Sequence, residues 1–280
     1  MCRPSCAAEV SVCLPLRDKP ASKHDGPTSM QPDRQHHPDT GDVSVRIRRV
    51  TTTRAGGVSK PPFDTFNLGD HVGDDPGAVR ANRSRLAKAI GLPGDRVLWM
   101  NQVHGTHVEV VDGPQRTALP DTDGMVTATT GLALAVVTAD CVPVLLADAR
   151  AGVVGAVHAG RVGAQHGVVA RTVEAMLELG AQVGDISALL GPAVSGPNYE
   201  VPEAMAAEVE AVLPGSRTKT PAGTAGLDLR VGIAGQLRRM GVTSVEADPR
   251  CTAADPALFS HRRDAPTGRL ASLVWMEAPR

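Results

Sequence analysis

Three side chains in this 280-residue chain are suited to holding a metal ion or to nucleophilic chemistry, and each sits beside an apolar run. His104 lies in Asn101-Gln102-Val103-His104-Gly105, Cys141 in Thr138-Ala139-Asp140-Cys141-Val142-Pro143-Val144, and His158 in Ala156-Val157-His158-Ala159-Gly160. Two imidazoles and a thiolate supply three corners of a zinc tetrahedron and leave the fourth for water or substrate, the arrangement that separates catalytic from structural zinc. The same groups could work without metal, with Cys141 as thiolate nucleophile and His158 as base. Intervals of 37 and 17 residues match no local zinc-finger spacing, so folding has to bring the three together. Taken singly, each also has an ordinary explanation as a hydrogen-bonded loop histidine, an inert buried thiol or a strand-end histidine.

The elements that would position them follow from periodicity. Strands are expected over residues 43–47, 97–100, 108–111, 132–138, 142–146, 153–158, 188–190, 242–246 and 270–275. His104 then falls in a turn between two strands, Cys141 at the junction of two more, and His158 at a strand end. Asp75-Pro76 gives a cap and a first-turn proline for a helix over 76–90, with Val79, Leu86 and Ile90 at helical spacing. Further helices are expected around Val169, Val173 and Leu177, over 202–213, and after Asp228 with Leu229, Ile233 and Leu237. Interleaved strands and helices predict one layered α/β domain of α/β/α type over 42–280, with mixed strands in one large sheet or two. Residues 1–41 carry Pro4, Pro15, Pro20, Pro27, Pro32 and Pro38 among polar residues and read as a disordered extension.

Arg83 lies between Val79 and Leu86 on the apolar stripe of its helix, and a guanidinium aimed at a core needs a partner. That partner is either a carboxylate or a bound anion such as phosphate.

Composition excludes several classes. A net charge of −1 and no basic cluster interleaved with aromatics argue against nucleic acid. The longest apolar stretch, 131–139, is too short to span a bilayer. Five irregularly spaced cysteines form no disulfide framework, and Glu9 and Pro15 interrupt the one candidate leader, so a cytoplasmic protein is expected. Phosphate-loop, zinc-protease, nucleophile-elbow, paired C-x-x-C and zinc-deaminase signatures are all missing from the sequence.

Over residues 46–275 the sequence closely resembles the YfiH family, also called the multicopper polyphenol oxidase or laccase-domain family. The matching phrases include Thr53-Arg54-Ala55-Gly56-Gly57-Val58-Ser59, Phe66-Asn67-Leu68-Gly69-Asp70-His71-Val72-Gly73-Asp74-Asp75, Asn82-Arg83 and Asp123-Gly124-Met125-Val126-Thr127. The three His and Cys phrases continue it, and Gly191-Pro192, Tyr199-Glu200-Val201, Asp228-Leu229, Cys251-Thr252 and Phe259-Ser260-His261-Arg262-Arg263-Asp264 complete it. The resemblance implies zinc on His104, Cys141 and His158. It also implies phosphorolysis of adenosine, inosine and methylthioadenosine, with possible deamination of adenosine. The older assignment as a copper-dependent phenol oxidase fits less well, since a Cys/His₂ set offers few ligands for several coppers. The partners implied are purine nucleosides and inorganic phosphate, acted on by a chain expected to be monomeric.

For the phosphate, Arg83 is the first candidate, with Arg54 and Asn67 in Gly-rich loops behind it, and His71 is a candidate for proton transfer or substrate contact. One departure stands out: the family reads His-Ala-Gly-Trp-Arg-Gly where this chain reads His158-Ala159-Gly160-Arg161-Val162-Gly163. The rings left to replace that tryptophan include Tyr199, Phe63 and Phe66, and Arg161 could stack in its place. Two other readings share the residues: a Cys/His amidase resembling cytotoxic necrotising factor toxins, and an editing role on peptidoglycan precursors suggested for some family members. A non-enzymatic binding protein with structural zinc is a third.

Overall fold

The structure, a computed structural model, describes residues 45–278 and a two-residue strand at Val12–Cys13. In chain order its elements begin β1 (Val12–Cys13), β2 (Ile47–Thr52), α1 (Pro76–Ala89), β3 (Val97–Leu98), β4 (Val108–Val110), β5 (Gly124–Thr127), β6 (Ala133–Thr138), β7 (Val142–Asp148) and β8 (Val153–Ala159). They continue α2 (Arg161–Gln165), α3 (Val168–Glu178), β9 (Ser187–Leu190), α4 (Glu203–Val212), β10 (Arg217–Lys219), β11 (Ala225–Leu227), α5 (Leu229–Met240), β12 (Ser244–Ala247), α6 (His261–Asp264) and β13 (Leu270–Met276).

Two mixed sheets dominate, one ordered β1-β2-β13-β6-β3 and the other β12-β9-β7-β8-β5-β4, while β10 and β11 form a separate hairpin. In the first sheet β3 lies parallel to β6, and in the second β4 is parallel to β5 and β12 to β9. Every residue of β6, β7, β8 and β13 is buried, which explains why these segments read as continuous apolar runs with no alternation. Between the sheets Leu134, Val136, Val274 and Met276 meet Leu145, Ala147, Val154 and Ala156. The opposite faces of the same strands send Ala133, Ala135, Val137 and Leu273 toward Leu86 and Ala87 of α1. On the far side Val144, Leu146 and Val157 pack on Val169, Val173 and Met176 of α3 and Ile233 and Leu237 of α5. The α/β layering expected from the sequence is therefore realised with two sheets back to back between helices.

Helix α1 forms where the Asp75-Pro76 signal places it, and the Asp75 carboxylate accepts from the Gly77 N–H at 2.9 Å. The first expected strand, 43–47, is displaced: pairing starts at Ile47 and runs to Thr52, while the Val45 N–H goes to the Ala149 carbonyl. Alternation there marks which side chains face inward and not where pairing begins, and the β-branched Thr51 and Thr52 continue the strand. Thr51 is buried with its hydroxyl 2.9 Å from that of Ser272 on β13. Strands β5, β10 and β11 are not expected from the sequence, because Gly124-Met125-Val126-Thr127, Arg217-Thr218-Lys219 and Ala225-Gly226-Leu227 show neither a sustained apolar run nor alternation. The disordered extension expected over 1–41 lies outside the described residues, apart from Val12–Cys13, which pair with β2.

Candidate metal centre and its cleft

The chain leaves β6 of one sheet and enters β7 of the other within three residues, Ala139-Asp140-Cys141, and this crossover places the thiol. Asp140 turns the backbone with φ of 97°, in the left-handed region. His158 stands near the end of β8, paired across to Pro143. His104 sits in the loop after β3 with φ of 60°. That loop is tied down by Gln102, whose amide donates to the Val137 carbonyl and accepts its N–H, both at 2.8 Å.

One carboxylate organises both histidines. Asp123, fully buried, accepts N–H groups from Val103 at 3.2 Å, His104 at 3.1 Å and Gly105 at 2.7 Å, and bonds the His158 Nδ1 at 2.7 Å. Burial raises its pKa, but the His158 contact and these N–H groups together hold the carboxyl below its ordinary value. With Nδ1 engaged, His158 has only Nε2 left for a ligand, the carboxylate–histidine pairing typical of metal sites. The Cys141 Sγ lies 3.7 Å from the His104 Nε2, and the two rings meet edge to face at 4.8 Å and 76°. The three donor atoms all lie within 4.8 Å of one another.

This donor set fits a tetrahedral ion. Bonds of about 2.0 Å to nitrogen and 2.3 Å to sulfur put the two ligands roughly 3.6 Å apart, near the observed separation. The backbone also leaves room: a Cβ on Gly160 would lie 2.6 Å from the His104 Cδ2 and 3.2 Å from the Cys141 Sγ. In the metal-free protein the same groups favour a thiolate–imidazolium pair. Burial opposes both charges, yet the facing His158 charge and the His104 hydrogen bond bring the Cys141 thiol down to about 6. The thiolate and the Asp123 bond, again against burial, lift His158 to about 9.

The three donors line a cleft of about 400 Å³ together with His71, Arg161, Tyr199, Arg262 and Arg269. Arg161 reaches the Gln165 amide at 3.4 Å, Arg269 donates to the Thr267 and Gly268 carbonyls, and Arg262 lies over the Tyr199 ring at 5.1 Å. Among the described residues none of these three guanidinium groups pairs with a carboxylate. Three guanidinium groups against the one Asp140 carboxylate give the cleft lining around the metal ligands an excess of positive charge.

Of the other residues singled out in the sequence, His71 lies in this cleft and Arg83, Asn67 and Arg54 do not line it. Arg83 takes the carboxylate alternative, 3.2 Å from Asp70, with its Nε donating to the Leu68 carbonyl at 3.0 Å and its Cζ 4.1 Å from the centroid of the Trp99 ring. Asp70 lies 3.7 Å from the His71 Nδ1, so Arg83 meets the cleft only through this chain. Asn67 is buried, and its side-chain oxygen accepts the N–H groups of Gly69 at 3.0 Å and Arg269 at 2.8 Å. It thus fixes the backbone of an arginine that does reach the cleft. Arg54 pairs with Asp64 at 3.4 Å and Asp264 at 3.8 Å and lies 4.9 Å from the Phe259 ring. Phe66 is fully buried and, like Phe63, lies outside the cleft lining. Sequence reasoning assigned no role to Asp123, Asp140, Arg262 or Arg269. The available signal was position: each charged group adjoins a buried strand or a helix cap.

The family described as multi-copper polyphenol oxidoreductase laccase matches residues 48–277. Relatives named purine nucleoside phosphorylase in Mycobacterium bovis and Mycobacterium tuberculosis are each 80% identical over 239 residues, covering 85% of this chain and 96% of theirs. A Corynebacterium glutamicum protein of the same name is 56% identical over 82% of this chain and 94% of its own. Among solved structures, Neisseria meningitidis NMB0706 is 37% identical with a TM-score of 0.74, covering 83% of this chain and 95% of its own. Bacillus licheniformis YfiH is 30% identical with a TM-score of 0.77, over 82% and 93% of the two chains.

Proposed function

This chain belongs to the multi-copper polyphenol oxidoreductase laccase family, the group that includes YfiH, and from that premise we propose that it is a zinc-dependent purine nucleoside phosphorylase. The observation that carries the reading is the meeting of a Cys/His₂ donor set and three arginines without carboxylate partners in one cleft. In phosphorolysis a phosphate oxygen bonds to C1′ of the ribose while the C1′–N9 bond breaks, and its electron pair leaves with the purine, which takes up a proton. A site for this reaction must hold a dianion against a neutral sugar and supply that proton.

Arg269, anchored through Asn67, and Arg161 are the phosphate contacts on this reading. His71, backed by Asp70 and Arg83, exchanges the proton with the purine. Asp123 keeps the His158 ring in one tautomer, and His104, Cys141 and His158 hold the zinc. When bound, zinc supplies Lewis acidity and one open coordination position. Adenosine deamination is a second activity of the same cleft: the oxygen of water bonds to C6 while the C6–N bond to the amino group breaks, and that group takes the proton from the water and leaves as ammonia, giving inosine. Electron relay among several coppers finds little support, since among the described residues one cluster alone has three donors close enough for a metal. The proposal places the enzyme in the cytoplasm as a monomer, and no helix among the described residues is long and apolar enough to cross a membrane.

The test is product chromatography joined to metal analysis. Inosine with purified protein should give hypoxanthine and ribose 1-phosphate in equal amounts only when phosphate is present, with one zinc per chain. His104→Ala should lose both zinc and turnover. Base release that ignores phosphate would overturn the reading.

A second reading rests on the 2.7 Å bond between Asp123 and His158 beside a thiol of lowered pKa, the layout of a Cys-His-Asp hydrolase such as an amidase or a peptidoglycan-precursor editor. It requires activity that resists chelators and is lost on alkylation of Cys141.

A further inference from the structure

We propose that Arg262, whose guanidinium carbon lies over the ring of Tyr199, forms with that ring the surface on which the purine base stacks, with Asp140 as the positioning residue that fixes it. The inference deepens the phosphorylase reading and rests on it. A flat heteroaromatic ligand needs a flat partner, and Tyr199, the chain's single tyrosine, is the only phenol, phenyl or indole ring lining the cleft among the described residues. Its inner side packs against the core beneath the second sheet, and the Arg262 Cζ lies 5.1 Å from its centroid. A guanidinium has a flat face that can stack on a base and an N–H edge that can reach ring nitrogens or a carbonyl. That edge is free here, because among the described residues the Arg262 side chain makes no hydrogen bond or ion pair.

The support behind it is built from hydrogen bonds. The Arg262 N–H donates to Asp140 Oδ2 at 2.6 Å, while Asp140 Oδ1 accepts the hydroxyls of Thr252 at 2.6 Å and Ser260 at 2.7 Å. Ser260 in turn caps α6 by accepting the Arg263 N–H at 3.2 Å. The Asp140 carbonyl takes the Val194 N–H at 3.0 Å, and the wall it anchors leads on to Tyr199. Asp140 thus ties the Arg262 backbone directly, and the segment leading to Tyr199 through Val194, to the crossover that carries Cys141. Arg269 has a different setting: its backbone is held by Asn67 and it lines the cleft with Cys141 and the two histidines, which places it for phosphate beside the metal ligands.

Calorimetric titration of the zinc-loaded protein with hypoxanthine alone and with inorganic phosphate alone separates the two roles. Arg262→Ala and Tyr199→Ala should each weaken hypoxanthine about tenfold and leave phosphate affinity unchanged. Tyr199→Phe should keep the wild-type affinity, and Arg262→Lys should not rescue, since an ammonium has no plane to stack. Asp140→Asn should raise the inosine KM several-fold with kcat and zinc content retained. Ser260→Ala gives a smaller change of the same sign without touching the crossover, should Asp140→Asn fail to fold. A loss of phosphate affinity alone in Arg262→Ala would make Arg262 an anion ligand and overturn the stack. Unchanged hypoxanthine affinity in all variants of a wild type that phosphorolyses inosine would sink the stack and leave the phosphorylase standing. A wild type that neither cleaves nucleosides nor binds hypoxanthine would remove both.

Discussion

At Asp123 a single buried carboxylate receives three N–H groups from the His104 turn and the ring of His158, so two proposed metal ligands depend on its charge. Its folded pKa lies below the ordinary carboxylate value, so between the two values the unfolded chain binds a proton that the folded chain does not. The stabilisation is therefore complete above roughly pH 4 and is lost as pH falls through the folded value. Asp123→Asn should remove this limb: denaturant midpoints measured from pH 2 to 5 should fall less steeply than in wild type, from a lower starting stability. Asp70 is also held down, to about 2, by the His71 hydrogen bond and Arg83, but its side chain is 53% exposed and screening keeps its share small. The same variant should weaken metal binding by about 10- to 100-fold in a competition titration. Equal acid slopes for the two proteins would show that the carboxylate is not charged in this network. The proposed ligands were legible in the sequence only as a set, through three His and Cys phrases at strand ends and the family resemblance that joins them, since each alone has an ordinary structural use. Asp123 was not, because Asp before Gly reads as a turn former, and its partners lie 18 to 20 and 35 residues away.

At the scale of elements, β6 poses a problem that Gln102 solves. Strand β3 pairs with β6 only at Ala133 and Leu134, so further along that edge lacks a strand neighbour. The Gln102 amide takes both the N–H and the carbonyl of Val137, as a strand would, and ties the His104 loop to the sheet. Gln102→Leu should leave two buried backbone groups unpaired and cost about 1–3 kcal/mol in denaturant unfolding. It should also speed metal loss to a chelator, because His104 is no longer held to β6. Loss of stability without faster release would mean that the Asp123 bonds alone hold the turn. The elements that were legible share a local cause: α1 declares itself by its Asp75 cap and Pro76, and the four fully buried strands by their apolar runs. Pairing was not local. β6 and β7 are separated by three residues yet belong to different sheets, and only the left-handed turn at Asp140 records the switch.

For the whole molecule, the proposed ligands join the layers. His104 is tied through Gln102 to the first sheet, His158 belongs to the second, and Cys141 stands on the crossover between them. An ion bound there links both sheets in the folded state, whereas in an unfolded chain ligands 37 and 17 residues apart are brought together only at an entropic cost. Metal binding is then part of the folding free energy, and at free metal about 100 times Kd the native state gains about 2.7 kcal/mol. For a chain of this size each kcal/mol moves Tm by roughly 2–4 °C, so stripping the metal should lower Tm by about 5–10 °C. His104→Ala, which removes one ligand from an exposed turn, should melt at the same temperature with or without chelator. Scanning calorimetry of both proteins, before and after dialysis against chelator, reads this directly. Residual binding of metal to Cys and His of the unfolded chain shrinks the shift without changing its sign. A wild type whose Tm ignores chelation, and which yields no metal on acid release, would mean that the three donors serve as the thiolate and imidazoles of a metal-free hydrolase.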